Sequence, residues 1–299
     1  MTKFLERMRD ELVRRNYAAS TIRSYLRIVE DFHQYAGKRL DHLGPDDLRH
    51  YHAQLLEERK LAVRTVVQHV AAVRFLYCKT LKRRDMKEDL PYPRNYRRQL
   101  PVILSPGEVA RVIDSARNLY HRAMLMTLYS CGLRRIEVCR LKVSDIDSQR
   151  MMLGITHGKG GVDRDVPLSP RLLETLREYW RWMRPKTYLF PGTENGWRAD
   201  KPITAKMVWA AVHMAAKRAG ITKHVSPHLL RHSYATHQLE AGMDLKTLQV
   251  LLGHEDLATT SRYLHLSQKH LQAVSTPLDR IGMKPATQVP RSRRLRKPE

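Results

Sequence analysis

Cysteine is scarce in this 299-residue chain. Cys78, Cys131 and Cys139 are an odd number with no C-x-x-C spacing, which argues against both a disulfide framework and a thiolate zinc site. Small buried hydrophobes are the expectation instead. No apolar run reaches the roughly 18 residues that could span a bilayer. The opening MTKFLERMRDELVRR also mixes charges where a signal peptide needs an apolar core, so a cytoplasmic chain with no membrane partner is expected. A Walker-type glycine loop and repeats at solenoid periods are missing as well. The other shortage is acidic: 30 Asp and Glu stand against 54 Lys and Arg, a formal charge of +24. A polyanionic partner follows, although composition does not choose among DNA, RNA and anionic lipid.

The length suffices for two domains. Over residues 1–84, apolar residues recur at helical spacing: Phe4, Met8 and Leu12; Ile22, Tyr25, Val29 and Phe32; Leu48, Tyr51 and Leu55; Val63, Val66, Val70, Val73 and Tyr77. This predicts a bundle of four short helices, with start signals at Ser20 and at Pro45 with Asp46, and turns at Gly37 and Gly44. Basic residues on each helix suit a DNA-facing side. Pro91 and Pro93 break the pattern, and residues 85–103 are expected to be a linker. In SPGEVARVIDSA, Ser105, Pro106 and Glu108 supply an N-cap, a first-turn proline and an N3 carboxylate, which opens a second domain over 104–283. The segments VSDID, MMLGITH, the turn GKGG and DRDVPL predict a small antiparallel sheet, after which helical patterns return through residue 266. Residues 284–299, ending in RSRRLRKPE, form a basic tail too polar for a core. The expected fold class is mainly α with a small antiparallel β-sheet: an N-terminal helical bundle followed by a C-terminal α+β domain.

Four segments carry chemistry. SPHLLRHSYATHQLEAG has an N-cap serine, a first-turn proline and a C-cap glycine, Gly242. On that helix His228, Arg231 and His232 share one face near the positive helix end, an arrangement that can hold a phosphate. In GLRRIEV, Arg134 and Glu137 lie at i, i+3, so the carboxylate can orient the guanidinium. Lys159 sits at the tip of the predicted hairpin between Gly158 and Gly160. In LQVLLGHEDLATTSRYLHLS, Leu245, Leu248 and Leu252 form a stripe, Gly253 stops the helix, and His254 and Tyr263 follow. Taken singly, these residues also fit a solvated basic face, a solubilising lysine and a packed tyrosine.

Together the segments resemble the tyrosine recombinases, the phage-integrase family, over most of residues 10–270, and within it the compact two-domain members. GLRRIEV resembles the G-L-R-x-x-E segment and puts the first active-site arginine at Arg134; Arg135 stands where the family usually has an apolar or small residue. Lys159 looks like the hairpin lysine. His228 and Arg231 match H-x-L-R-H, with His232 in a supporting position, His254 fits L-G-H, and Tyr263 falls where the nucleophile is expected. The N-terminal bundle resembles the core-binding domain. The resemblance implies a fold of the DNA-breaking-rejoining type and a site-specific recombinase or integrase that cuts and rejoins strands through a 3′-phosphotyrosyl intermediate. It also implies double-stranded DNA with short inverted-repeat core sites as partner, a homotetramer on that DNA, action at the nucleoid, movement of a mobile element among the candidate roles, and neither cofactor nor metal. The chemistry agrees with it. Two arginine forks can neutralise the charge that grows on a phosphodiester under attack, with Lys159 as general acid, His228 as base or relay, and His254 donating to the phosphate.

Three other functions use the same residues. A type IB topoisomerase shares the chemistry but relaxes DNA as a monomer. A metal nuclease would use His228 and His232 as zinc ligands, with Arg231 unfavourably beside the cation and no acidic residue between the histidines. A non-catalytic DNA-binding regulator would use the turn between the predicted helices at Leu245 and Leu257 and would form no covalent adduct.

Overall fold

The computed structural model describes residues 3–83, 85–93, 102–156, 163–194, 197–261 and 263. The chain divides into two units, Met1–Arg98 and Gln99–Glu299. In the first, α1 (Lys3–Arg14), α2 (Ala19–Ala36), α3 (Pro45–Glu57) and α4 (Val63–Phe75) form the predicted bundle, and α4 runs on into a π-helical turn, Leu76–Thr80. Their apolar stripes converge: Met8, Leu12, Val29, Phe32, Leu48, Tyr51, Leu55, Val66, Val70 and Val73 share one core. Gly37 ends α2 in the left-handed region at φ 62.

Three local expectations change. Ser20 lies inside α2, whose N-cap is Ala18 with no side-chain cap. Gly44 is the N-cap of α3, and its N–H donates to Asp47 Oδ2 at 2.9 Å. The start of the expected linker belongs to the bundle. Asp85–Lys87 forms a 3-10 turn, and Met86 and Leu90 are buried in the bundle core, because each supplies an apolar side chain to a charged stretch.

The second unit opens with α5 (Pro106–Asp114). Ser105 Oγ accepts from Glu108 N at 3.2 Å, and Glu108 Oε2 accepts from Ser105 N at 2.7 Å, the predicted reciprocal cap. The next helix, α6 (Leu119–Ser130), is central, with Tyr120 and residues 123–128 all buried. After α7 (Arg135–Arg140) come β1 (Ile146–Asp147), β2 (Met152–Ile155) and β3 (Arg164–Pro167). They form an antiparallel sheet in that order, with Leu153 opposite Val166 and Ile155 opposite Arg164. Leu153, Ile155 and Val166 join the same core as α6.

The predicted strand VSDID is shorter than expected, since Val143–Asp145 is a 3-10 turn. Beyond α8 (Pro170–Met183) lies a second hairpin, β4 (Pro191–Glu194) paired with β5 (Trp197–Pro202). Sequence reasoning reads helix throughout this region; PGTENGWRADKP has no alternating apolar pattern and is rich in strand-disfavouring residues. The chain continues through α9 (Ala205–Arg218), α10 (Pro227–Glu240), α11 (Leu245–Leu252) and α12 (Leu257–Ser261). The C-cap of α10 is Ala241, one residue before the predicted Gly242. Cys131 and Cys139 are buried and Cys78 is half-buried. The domain end at 283 and the tail 284–299 lie outside the described residues.

Candidate active site

Gly132 is where the site begins. It follows α6 in the left-handed region, φ 58, and a Cβ there would lie 2.4 Å from Cδ1 of the Tyr234 ring. Only glycine allows both the turn and the approach of that ring. The reversed chain places Arg134 at the N-cap of α7. The Glu137 carboxylate accepts from the Arg134 backbone N–H at 2.7 Å and from its Nη1 at 2.8 Å, so the i, i+3 spacing is an actual ion pair. Arg135 is exposed, whereas Arg134 is partly covered.

Three arginines from distant segments converge on the end of α11. Arg164 Nε donates to the Leu251 carbonyl at 2.7 Å, Arg231 Nη2 to the Leu252 carbonyl at 2.6 Å, and Arg134 Nη2 to the Gly253 carbonyl at 2.9 Å. The last carbonyls of a helix have no partner within it and carry its negative end, which draws cations there. Arg231 is held at a second point by the Gly132 carbonyl, 2.8 Å from Nη1. Its side chain is 1% exposed, against 23% for Arg134, so Arg134 is the more open guanidinium. Burial, with Arg134 close by, lowers the Arg231 pKa to about 10, which leaves it charged at neutral pH. For Glu137, burial pushes the carboxyl up, but Arg164 and Arg134 outweigh it and hold the pKa at about 2.

His254 follows the left-handed Gly253 that terminates α11. Its Nε2 is 3.0 Å from Arg231 Nη2 and its Nδ1 is 2.8 Å from Thr260 Oγ1. A guanidinium only donates, so Nε2 accepts and Nδ1–H donates to the threonine. Donation from His254 Nε2 to a phosphate, the role expected from the sequence, therefore needs both a proton on that nitrogen and release of the Arg231 contact. The Tyr263 ring is buried in a small cluster with Tyr234, Leu239, Leu248 and Leu252 and lies nearly parallel to His254, centroids 6.3 Å apart. Its hydroxyl is 2.9 Å from His232 Nδ1. His228 stands edge-on to His232, ring centroids 4.2 Å apart. Thus His232, read from the sequence as a supporting residue, is the one bonded to the phenol.

Arg134, His228, Arg231, His254 and Tyr263 are brought to one region of the second unit, while Lys159 lies outside the described residues. Two participants escape a sequence reading, Arg164 and Thr260. Strand parity offered a signal for Arg164: with Val166 inward in β3, Arg164 faces inward too, and the burial alternates accordingly. For Thr260 there was none. Among the described residues, no helix is long and apolar enough to cross a membrane.

The phage integrase family model matches residues 103–270, and the model of the phage integrase N-terminal SAM-like domain matches residues 4–86. The integrase/recombinase-type protein y4qK of Sinorhizobium fredii is 45% identical over 280 residues, covering 93% of this chain and 89% of that protein. A tyrosine recombinase of Thermosipho africanus is 31% identical over 281 residues, covering 90% and 97% respectively. The crystal structure of a lambda integrase tetramer bound to a Holliday junction, 18% identical, shares the fold with a TM-score of 0.70 over 87% of this chain and 76% of that one. These matches, and the fold and motif segments they span, identify the chain as a member of the phage integrase family, a tyrosine recombinase that carries out site-specific DNA strand exchange.

Proposed function

We propose that Tyr263 is the nucleophile of this recombinase, acting in cis on a phosphodiester held by Arg134 and Arg231. The observation that carries this reading is the shared anchorage. Both guanidiniums are tied to consecutive carbonyls at the end of α11, and the Tyr263 ring packs beside the histidine that follows those carbonyls. The phenolic oxygen attacks phosphorus, the bond to the 5′ oxygen breaks, and Tyr263 remains joined to the 3′ phosphate. His232, within hydrogen-bond reach of the phenol, takes its proton, and His228 relays it. Lys159 gives a proton to the leaving 5′ oxygen. A 5′ hydroxyl from the partner duplex then attacks in line, which conserves the ester without cofactor or metal. The working assembly is a homotetramer on two duplexes with short inverted-repeat cores, a reading supported by the likeness in fold to a lambda integrase tetramer bound to a Holliday junction. It acts in the cytoplasm on nucleoid DNA, with movement of a mobile element among its candidate roles. The domains proposed for this work are a core-binding bundle, a catalytic domain to residue 283 and a basic tail over 284–299.

The test is trapping. Duplexes with a randomised core and a nick beside each candidate cut are incubated with the protein, and DNA that stays bound after denaturation is recovered and sequenced to give the site. Wild type forms the adduct and Tyr263→Phe does not. An adduct formed by Tyr263→Phe rejects the nucleophile assignment.

A further inference from the structure

Arg164 is a buried cation that the strand-exchange mechanism leaves without a task. It sits in β3, five residues beyond Lys159, and its side chain is 4% exposed. Its Nη1 and Nη2 donate to the two Glu137 oxygens at 3.1 and 2.9 Å, while its Nε donates to the Leu251 carbonyl. Room is made for it: a Cβ on Gly253 would lie 2.9 Å from Arg164 Nη1. Glu137 thus serves three guanidiniums at once, since Arg134 Nη1 donates to Oε1 and Arg231 Nη1 lies 3.8 Å from Oε2.

We propose that Arg164 is a positioning residue of strand exchange: it neutralises Glu137, so that Arg134 and Arg231 keep their full positive charge for the phosphate. This rests on the reading of those two arginines as the phosphate clamp. The charge count supports it. Three guanidiniums and one carboxylate leave two net positive charges, which match the two negative charges of the pentacoordinate phosphorus formed when a phenolate attacks a phosphodiester. Without Arg164 the carboxylate draws on Arg134 and Arg231 alone, and one positive charge remains. The same guanidinium also ties the strand downstream of Lys159 to the helix end that holds both clamp arginines.

The experiment compares covalent trapping rates on the selected nicked duplex carrying either an ordinary phosphate or a methylphosphonate at the cut. The latter forms a singly charged intermediate. Arg164→Met is expected to slow phosphate cleavage about 10- to 100-fold, the scale typical when an orienting partner is lost. Its deficit should shrink on methylphosphonate, and the double variant E137Q/R164M, which restores two net charges, should recover about tenfold or more of the loss. Should Arg164→Met fail to fold, the double variant decides alone, because it removes Glu137 and Arg164 together and leaves neither as the other's unpaired buried partner, while Arg231 keeps its two carbonyls: trapping within about tenfold of wild type on phosphate supports the proposal, and weaker trapping by a folded, DNA-binding double variant overturns it. Wild-type rates for Arg164→Met, or a deficit equal on both linkages and unrelieved by the second substitution, also overturn it. Tyr263→Phe runs alongside. An adduct there rejects the nucleophile assignment, while the rate ratios still decide the role of Arg164 on whichever residue attacks.

Discussion

Glu137 is a single carboxylate on which the geometry of two proposed clamp residues depends. Its folded pKa, about 2, lies below the ordinary value of 4.5, so the unfolded chain binds the proton more tightly. The stabilisation is therefore fully present above the ordinary value and is lost as pH falls through the folded one. The shift corresponds to roughly 3 kcal/mol. In urea unfolding, wild type should exceed Glu137→Gln in stability near neutral pH, and the gap should narrow by about that amount between about pH 5 and about pH 2. A gap that stays constant with pH contradicts the pairing. His228 and His232 share a helix face, but the Tyr263 hydroxyl reaches His232, which moves the proposed proton acceptor one helical turn from His228.

Among the elements, the end of α11 organises the site. Three successive carbonyls, Leu251, Leu252 and Gly253, each accept from a different arginine, so a helix terminus that would otherwise need water or a cap is satisfied by the two proposed clamp arginines and by Arg164. The 3-10 turn Asp85–Lys87 has a different task, closing the bundle of the first unit through Met86, which is 1% exposed. Met86→Ala should cost about 2–5 kcal/mol of stability in that unit, read as a lower denaturant midpoint. A cost near zero would return this segment to the linker that its charge pattern suggests.

For the whole molecule, the charge of +24 predicts how duplex binding responds to salt. Each phosphate neutralised releases condensed counterions, so the log of the binding constant should fall against the log of salt with a slope of about −0.9 per contact. Six to ten contacts would weaken binding by about three to five orders of magnitude between roughly 50 and 200 mM salt. Filter binding of the Tyr263→Phe protein, which keeps the charge, measures that slope without cleavage. A slope near zero contradicts the phosphate-tracking role of the basic surface.

The helices of the bundle, the cap at Ser105, the helix beginning at Ser226 and the order of the motif segments were legible in the sequence, because periodicity and capping are decided within a few residues. The strand pair β4–β5 was not, since its segments carry no alternating pattern and are defined by their pairing with each other. Nor could the sequence tell which partners Arg164 finds on turning inward, that Thr260 orients His254, or that His232 meets Tyr263. The Thr260 contact spans only six residues, across the turn that follows α11, whereas the others depend on carbonyls and rings brought together from segments 21 to 119 residues apart. The residue types and their helical faces were thus determined locally. Which donor meets which acceptor was decided only when α6, α10, α11 and β3 packed, because a buried guanidinium must find every partner it has lost to desolvation wherever the chain path supplies one.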